Sequence, residues 1–159
     1  MNDIDKIVNL VKYPIFNSNK FIIKCHNNLR KNSILQLNNF LTKECLINLQ
    51  KEAKKLHSKA FYCSQMHTIL LSKKDKKLPN NDPCNIEVKS DKGCVPHDLI
   101  PSKSYLNQLY KSNKFKEFII KVLGIKNIYP YKDKLSSINY NYYEKNQQLG
   151  WHFDNASFA

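Results

Sequence analysis

The chain has 159 residues, 42% of them hydrophobic, so it is long enough for one domain with a core and too short for two full-sized ones. The net charge is +13, but every basic residue except Arg30 is a lysine, and the lysines are spread along the chain. This favours a solvated basic surface over a base-reading nucleic-acid interface, which relies on arginine. No apolar run reaches the roughly 20 residues of a membrane-spanning helix, and the N-terminus lacks a secretory signal, so we expect a cytoplasmic protein without membrane contact.

Hydrophobic periodicity predicts a mixture of helices and short strands in the first half of the chain. Residues 3–13 have apolar residues at helical spacing, and a proline ends the run. The apolar runs at 20–25 and 34–41 predict short strands. A threonine cap opens a predicted helix over 42–59, with lysines in its last turn. A strand is predicted over 61–71.

The second half begins with a polar segment and ends with predicted strands. Residues 72–96 are charged and interrupted by prolines, which predicts a surface loop with at most a short strand at 86–88. Residues 102–124 predict two amphipathic helices that open on a serine cap and close on a glycine. Alternating isoleucine and tyrosine over 135–145 predicts a strand, and a further strand begins at 151. The order of these elements predicts an α+β fold.

The five cysteines occupy positions 25, 45, 63, 84 and 94, and no two have the C-x2-C spacing. An odd number without that spacing predicts neither a disulfide framework nor a zinc ribbon. We therefore expect structural, reduced thiols, with Cys25 beside an apolar run and Cys45 in an amphipathic helix as small hydrophobic side chains.

The most informative motif is a histidine two residues before an aspartate, His152 and Asp154. In an extended strand such residues project to the same face, so an imidazole and a carboxylate can reach one ion. Together with a second histidine they would form the facial triad of non-haem Fe(II) oxygenases. The triplet alone is weak evidence, because chance also places a surface histidine beside an acid.

The preceding predicted strand adds a polar face beside this pair. Alternation places Asn139, Asn141 and Tyr143 on one face and Tyr140 and Tyr142 on the other. Amide and phenol groups can hold a small dicarboxylate by hydrogen bonds. The remaining two tyrosines are expected to pack within the fold.

The stretch "NYNYYEKNQQLGWHFDNASFA" resembles the start of the catalytic core of 2-oxoglutarate- and Fe(II)-dependent dioxygenases, with Asn-x-Tyr, a turn and then H-x-D. The region from "VPHDLIPSKSYLNQLY" onward is similar to the bacterial branch that includes free-amino-acid hydroxylases and halogenases. The resemblance implies N-terminal helices packed on a double-stranded β-helix, or jelly roll. It divides the chain into a support region, 1–134, and the beginning of the jelly-roll core, 135–159.

The resemblance also implies roles for individual residues. His152 and Asp154 would be the catalytic metal ligands, and Tyr143 and Asn141 would contact 2-oxoglutarate, with Asn139 as a third contact. Fe(II) and 2-oxoglutarate are the implied cofactor and cosubstrate, and ascorbate is a further candidate. Halogenating members lack the carboxylate, so the presence of Asp154 implies hydroxylation, of a small and amino-acid-like substrate.

The family pattern also requires a distal histidine and an arginine after the H-x-D motif, and only five residues follow Asp154. We therefore expect the chain to be the N-terminal part of such an enzyme. His57 and His67 are expected to be structural, and His97 is expected to be an exposed loop residue. Two alternatives stay open, namely an oxygenase acting on protein or nucleic acid and a basic interaction module without catalysis. The oligomeric state is not encoded in these patterns.

Overall fold

The computed structural model describes residues 4–154, which form two compact units. Of these residues, 4–56 and 96–139 belong to the first unit, and 57–95 and 140–154 belong to the second. Within the described range there are five α-helices and three β-strands, namely α1 (Ile4–Ile7), α2 (Asn19–Asn32), α3 (Lys43–Leu56), β1 (Phe61–Thr68), β2 (Glu87–Val95), α4 (Tyr105–Lys111), α5 (Asn113–Leu123) and β3 (Tyr140–Tyr142). The predicted α+β class is confirmed. None of the helices in this range is long and apolar enough to cross a membrane.

The helices predicted from caps and periodicity are present in the first unit. The Thr42 hydroxyl accepts a hydrogen bond from the Cys45 backbone N–H at 3.0 Å and caps α3. Ser104 caps α4 in the same way, through the Leu106 N–H at 3.2 Å. Gly124, with φ of 69°, ends α5 in the left-handed conformation that glycine adopts without strain.

Three predictions for the first unit are wrong or only partly correct. The predicted strand at 20–25 lies within helix α2, which the Ser18 hydroxyl caps by accepting from the Phe21 N–H at 3.2 Å. The predicted strand at 34–41 is irregular and makes only an isolated bridge between Val8 and Leu41. The helix predicted over 3–13 is shorter and covers Ile4–Ile7.

The hydrophobic core described here belongs to the first unit. Its buried members are contributed by α1, α2, α3, α5 and the segment between α1 and α2, namely Ile4, Ile7, Val8, Tyr13, Ile15, Ile22, Cys25, Cys45, Phe118 and Val122. Because these residues recur at helical spacing, burying one face of each helix produces this cluster. Aliphatic and aromatic burial therefore stabilises this unit.

The second unit is an antiparallel sheet with strand order β1-β2-β3. The strand predicted over 61–71 is largely confirmed, because β1 covers Phe61–Thr68. The strand predicted over 135–145 is confirmed for only three residues, those of β3. The loop predicted over 72–96 is wrong at its C-terminal end, because Glu87–Val95 pairs along the whole length of β1.

This sheet is open and has three strands among the described residues. A jelly roll is therefore not shown within residues 4–154. Residues 151–154 do not form the strand predicted to begin at 151, and its continuation over 155–159 lies outside the described residues. The first six residues of β1 are exposed on both faces of the sheet.

Candidate metal site

His152 and Asp154 approach each other in the second unit. His152 Nε2 lies 3.3 Å from Asp154 Oδ1, and their side chains are 19% and 56% exposed. Two ligand atoms bonded to one metal at about 2.1 Å stand roughly 3.0 Å apart at a right angle and roughly 3.4 Å apart at a tetrahedral angle. The observed separation lies between these values, and the exposure leaves the pair accessible to an ion from solvent.

The orientation of the His152 ring is set by a backbone carbonyl. Nδ1 lies 2.7 Å from the carbonyl oxygen of Gly150. Because a carbonyl oxygen only accepts, Nδ1 carries the hydrogen, and the neutral ring keeps its lone pair on Nε2, which faces Asp154. Histidines that bind metals are commonly oriented by such a bond from the other ring nitrogen. If His152 is protonated instead, the two groups form an ion pair that contributes little stability at this exposure.

Gly150 is in turn held by two buried polar side chains of the sheet. Its N–H donates to Ser90 Oγ at 3.0 Å, and Ser90 Oγ lies 2.6 Å from His67 Nε2. His67 Nδ1 lies 2.8 Å from the Thr68 carbonyl oxygen, which requires the hydrogen on Nδ1 and leaves Nε2 to accept from the Ser90 hydroxyl. Ser90 is 4% exposed and His67 is 6% exposed, so water competes little with these bonds. The prediction that His67 is structural agrees with this arrangement.

The segment that carries the pair is also attached to the sheet through its backbone. The Asp91 N–H donates to the Gln148 carbonyl at 2.7 Å, and the Phe153 N–H donates to the Ile69 carbonyl at 2.8 Å. These bonds lie on either side of His152 along the chain. The approach of His152 to Asp154 is therefore built on the sheet rather than on an unsupported loop.

The strand register gives the position in the sheet of one predicted 2-oxoglutarate contact, Asn141. Asn141 lies opposite Cys94 and Tyr142 lies opposite Gly93, so the predicted alternation of these two residues between faces is confirmed. Asn141 shares the sheet face of Ser90 and His67, but Cys94 is four residues beyond Ser90, which corresponds to about 13 Å along the strand.

The other two predicted contacts, Tyr143 and Asn139, flank β3 and are not part of the paired strand. Tyr143 follows β3 and is 47% exposed. Asn139 belongs to the first unit. The structure therefore brings His152 and Asp154 together, and leaves the roles of Tyr143, Asn141 and Asn139 as a prediction.

His97 is less exposed than predicted. It belongs to the first unit and is partly buried, with Nε2 2.8 Å from Asn107 Oδ1 and Nδ1 beside Ser137 Oγ. The prediction that it is an exposed loop residue is wrong, because buried Asn107 needs a donor for its amide oxygen. His57 lies in the second unit, 2.9 Å from the Tyr62 hydroxyl.

The supporting residues Ser90 and Gly150 were not identified from the sequence. Ser90 lies in the segment predicted as a loop, where a serine carries no signal of burial. The sequence predicts Gly150 at the end of a turn, whereas in the structure a Cβ there would lie 2.7 Å from Val88 Cγ2 and 2.8 Å from the Lys89 carbonyl oxygen. The scarcity of glycine, three in the whole chain, was the available signal that this one has a specific function.

The thiol of Cys94, on the same sheet face as Ser90 but about 13 Å along the strand from it, is poorly suited to ligate a metal at neutral pH. Burial raises the pKa of the Cys94 thiol, Lys92 opposes this shift, and Cys63 adds to it. The thiol therefore stays protonated, whereas metal ligation requires the thiolate. Within residues 4–154, no group of three or more His, Cys, Asp or Glu side chains is arranged to hold a metal ion.

No family model, curated protein or solved structure matches this chain.

Proposed function

We propose that His152 and Asp154 are two protein ligands of an Fe(II) site in a 2-oxoglutarate-dependent dioxygenase that hydroxylates an unactivated C–H bond of a small, amino-acid-like substrate. The observation that carries this proposal is the approach of Nε2 to Oδ1 at 3.3 Å, with the opposite ring nitrogen fixed by Gly150. One imidazole and one carboxylate are the donor types that this kind of iron site uses. The carboxylate of Asp154 favours hydroxylation over halogenation.

In this proposal each side chain has a limited and separate role. Bound Fe(II) would supply the coupling of oxygen activation to the oxidative decarboxylation of 2-oxoglutarate to succinate. His152 and Asp154 would hold the ion on one side and leave its other positions open. Asn141, with Tyr143 and Asn139 as further candidates, would bind the cosubstrate by hydrogen bonds. A third protein ligand is not placed beside the pair by the described residues, so we expect weak iron binding by these two groups alone.

We also propose that the sheet of the second unit is part of a double-stranded β-helix. Its strands are antiparallel, as in a jelly roll, and β1 exposes Phe61 and Met66 at 53% and 58%. These two side chains lie on opposite faces of β1, because they are five residues apart in a strand. A second sheet packed on one face would remove part of this apolar surface from water.

Metal titration of the whole chain tests the proposed site directly. Addition of Co(II), a spectroscopic substitute for Fe(II), to the wild-type chain is expected to shift and intensify the d–d bands of the aqueous ion, and this change is expected to be lost with His152→Ala. The matched control is His57→Ala, which removes an exposed histidine of the same unit. Equal weakening of the spectral change by both substitutions, or no change from the spectrum of aqueous Co(II) with the wild-type chain, would leave His152 and Asp154 as an ion pair only. Succinate formation from 2-oxoglutarate with Fe(II), compared with His152→Ala, then tests the reaction.

One observation favours the alternative of a macromolecular, acidic substrate or partner. Residues 1–56 and 96–139, which the first unit spans, include 18 basic and 7 acidic side chains, whereas residues 57–95 and 140–159 include 8 and 6. Most of the +13 charge therefore resides in the helical unit. Binding to DNA or RNA that weakens steeply with added salt would support this alternative, and retention that does not depend on salt would contradict it.

A further inference from the structure

His152, of the candidate metal-binding pair, is connected to the interior of the sheet by a series of hydrogen bonds that passes through the backbone of Gly150. From the surface inward, His152 Nδ1 donates to the Gly150 carbonyl, the Gly150 N–H donates to Ser90 Oγ, and the Ser90 hydroxyl donates to His67 Nε2. The chain ends where His67 Nδ1 donates to the Thr68 carbonyl. Every donor in this series has an acceptor, and the direction of each bond follows from the two carbonyl acceptors at its ends.

We propose that Ser90 and His67 are positioning residues of the candidate metal site, which act on His152 through the backbone of Gly150. This inference rests on the proposed metal-binding role of His152. Neither residue is expected to touch the ion, because Ser90 Oγ accepts from Gly150 and His67 Nε2 accepts from Ser90. Their effect is to hold the N–H of Gly150 and, through its Cα, the following peptide, whose carbonyl selects the tautomer of His152.

Three observations distinguish this series from ordinary burial of polar groups. The Ser90 hydroxyl accepts from the Gly150 N–H and donates to His67 Nε2. This one group on β2 therefore links the segment around Gly150 to β1 as well as to β2. A side chain at position 150 would clash with Val88 and Lys89. Because glycine has none, its backbone lies close enough for its N–H to donate to Ser90 Oγ. The rings of His67 and His152 meet edge to face with centroids 6.0 Å apart, which adds a direct contact between the two ends.

Substitution of Ser90 separates a positioning role from a stabilising one. Ser90→Ala removes the acceptor of Gly150, and we expect Co(II) affinity to fall about 10-fold. This is the lower end of the loss of about 10- to 100-fold that is typical when the direct partner of a metal-binding histidine is removed, because Ser90 acts one step further away. Ser90→Thr keeps the hydroxyl and is expected to restore most of that affinity. The matched control is Asn85→Ala, because Asn85 is a buried polar residue of the same unit, 2% exposed, that bonds to the Asp75 to Pro79 turn instead.

A second readout does not depend on metal. Nitrogen-15 NMR of the His152 ring in the metal-free chain is expected to show the Nδ1–H tautomer in the wild type, a tautomer mixture in Ser90→Ala, and the wild-type pattern in Asn85→Ala. Wild-type tautomer and Co(II) affinity in Ser90→Ala would overturn the inference, as would equal loss of affinity in Asn85→Ala. If the wild-type chain binds no Co(II) but its tautomer still depends on Ser90, the metal proposal fails and the positioning role stands.

Discussion

Replacing Gly150 with alanine is the most direct perturbation of the candidate site that leaves both proposed ligands in place. The added Cβ would lie 2.7 Å from Val88 Cγ2 and 2.8 Å from the Lys89 carbonyl oxygen. Carbon atoms in contact are normally about 3.5–4.0 Å apart, so the segment has to move by roughly 1 Å away from β2. A movement of that size lengthens the 3.0 Å bond from the Gly150 N–H to Ser90 Oγ beyond hydrogen-bonding distance.

Two effects of Gly150→Ala are expected, on stability and on metal affinity. Overpacking of this kind costs about 1–3 kcal/mol, which lowers the thermal unfolding midpoint of the second unit. Displacement of the Gly150 carbonyl removes the acceptor of His152 Nδ1, so Co(II) affinity is expected to fall at least about 10-fold. Circular dichroism melting and Co(II) titration measure the two effects on the same sample.

Gly124→Ala is the matched control for this substitution. Gly124 ends α5 in the first unit with φ of 69°, so an alanine there strains the helix end and costs about 1 kcal/mol. It is expected to lower the melting midpoint without changing Co(II) affinity. The reasoning is refuted if Gly150→Ala binds Co(II) as tightly as the wild type, or if Gly124→Ala weakens binding to the same degree.

Two further predictions concern the first unit. Burial raises the pKa of Cys45 to about 11, and the neighbouring Glu44 adds to the shift, so the folded state favours the neutral thiol. The contribution of the neutral Cys45 thiol to stability is complete below the ordinary pKa of 9.0 and is lost as pH rises toward 11. At pH 8, iodoacetamide should modify exposed Cys63 before buried Cys45, which peptide mass spectrometry would show. Equal rates of modification would contradict the burial of Cys45. His97→Ala leaves the buried amide oxygen of Asn107 without its donor at a cost of about 1–3 kcal/mol, which thermal melting would detect, and an unchanged midpoint would show that water replaces the imidazole.

The helices of the first unit could largely be predicted because their signals are local. Thr42 and Ser104 are cap residues whose hydroxyls bond within the first turn, and Gly124 ends its helix through its own backbone conformation. Helix α2 was missed because the six apolar and basic residues at 20–25 fit a strand as well as a helix. The cap at Ser18, two residues before, was the signal that decides between them.

The sheet and the support of the candidate site were less predictable because their causes are not local. The sequence predicts a loop where β2 lies, since the buried positions of β2 include Ser90 on one face and Gly93 on the other, which carry no hydrophobic signal. Their burial results from pairing with β1 and from the hydrogen bond to Gly150. The approach of His152 to Asp154 was predictable, because spacing of two residues places side chains on one side of an extended segment.

The interior of the second unit has a consequence for how its sequence can vary. Its buried residues within the described range are mostly polar or glycine, namely His67, Thr68, Asn85, Ser90, Gly93, Val95 and Gly150. An aliphatic core accepts many residues of similar volume, whereas a hydrogen-bonded interior requires a particular donor or acceptor at each position. Sequence drift in this unit should therefore be concentrated on the exposed residues of β1, while the few interior positions change only together with their hydrogen-bond partners.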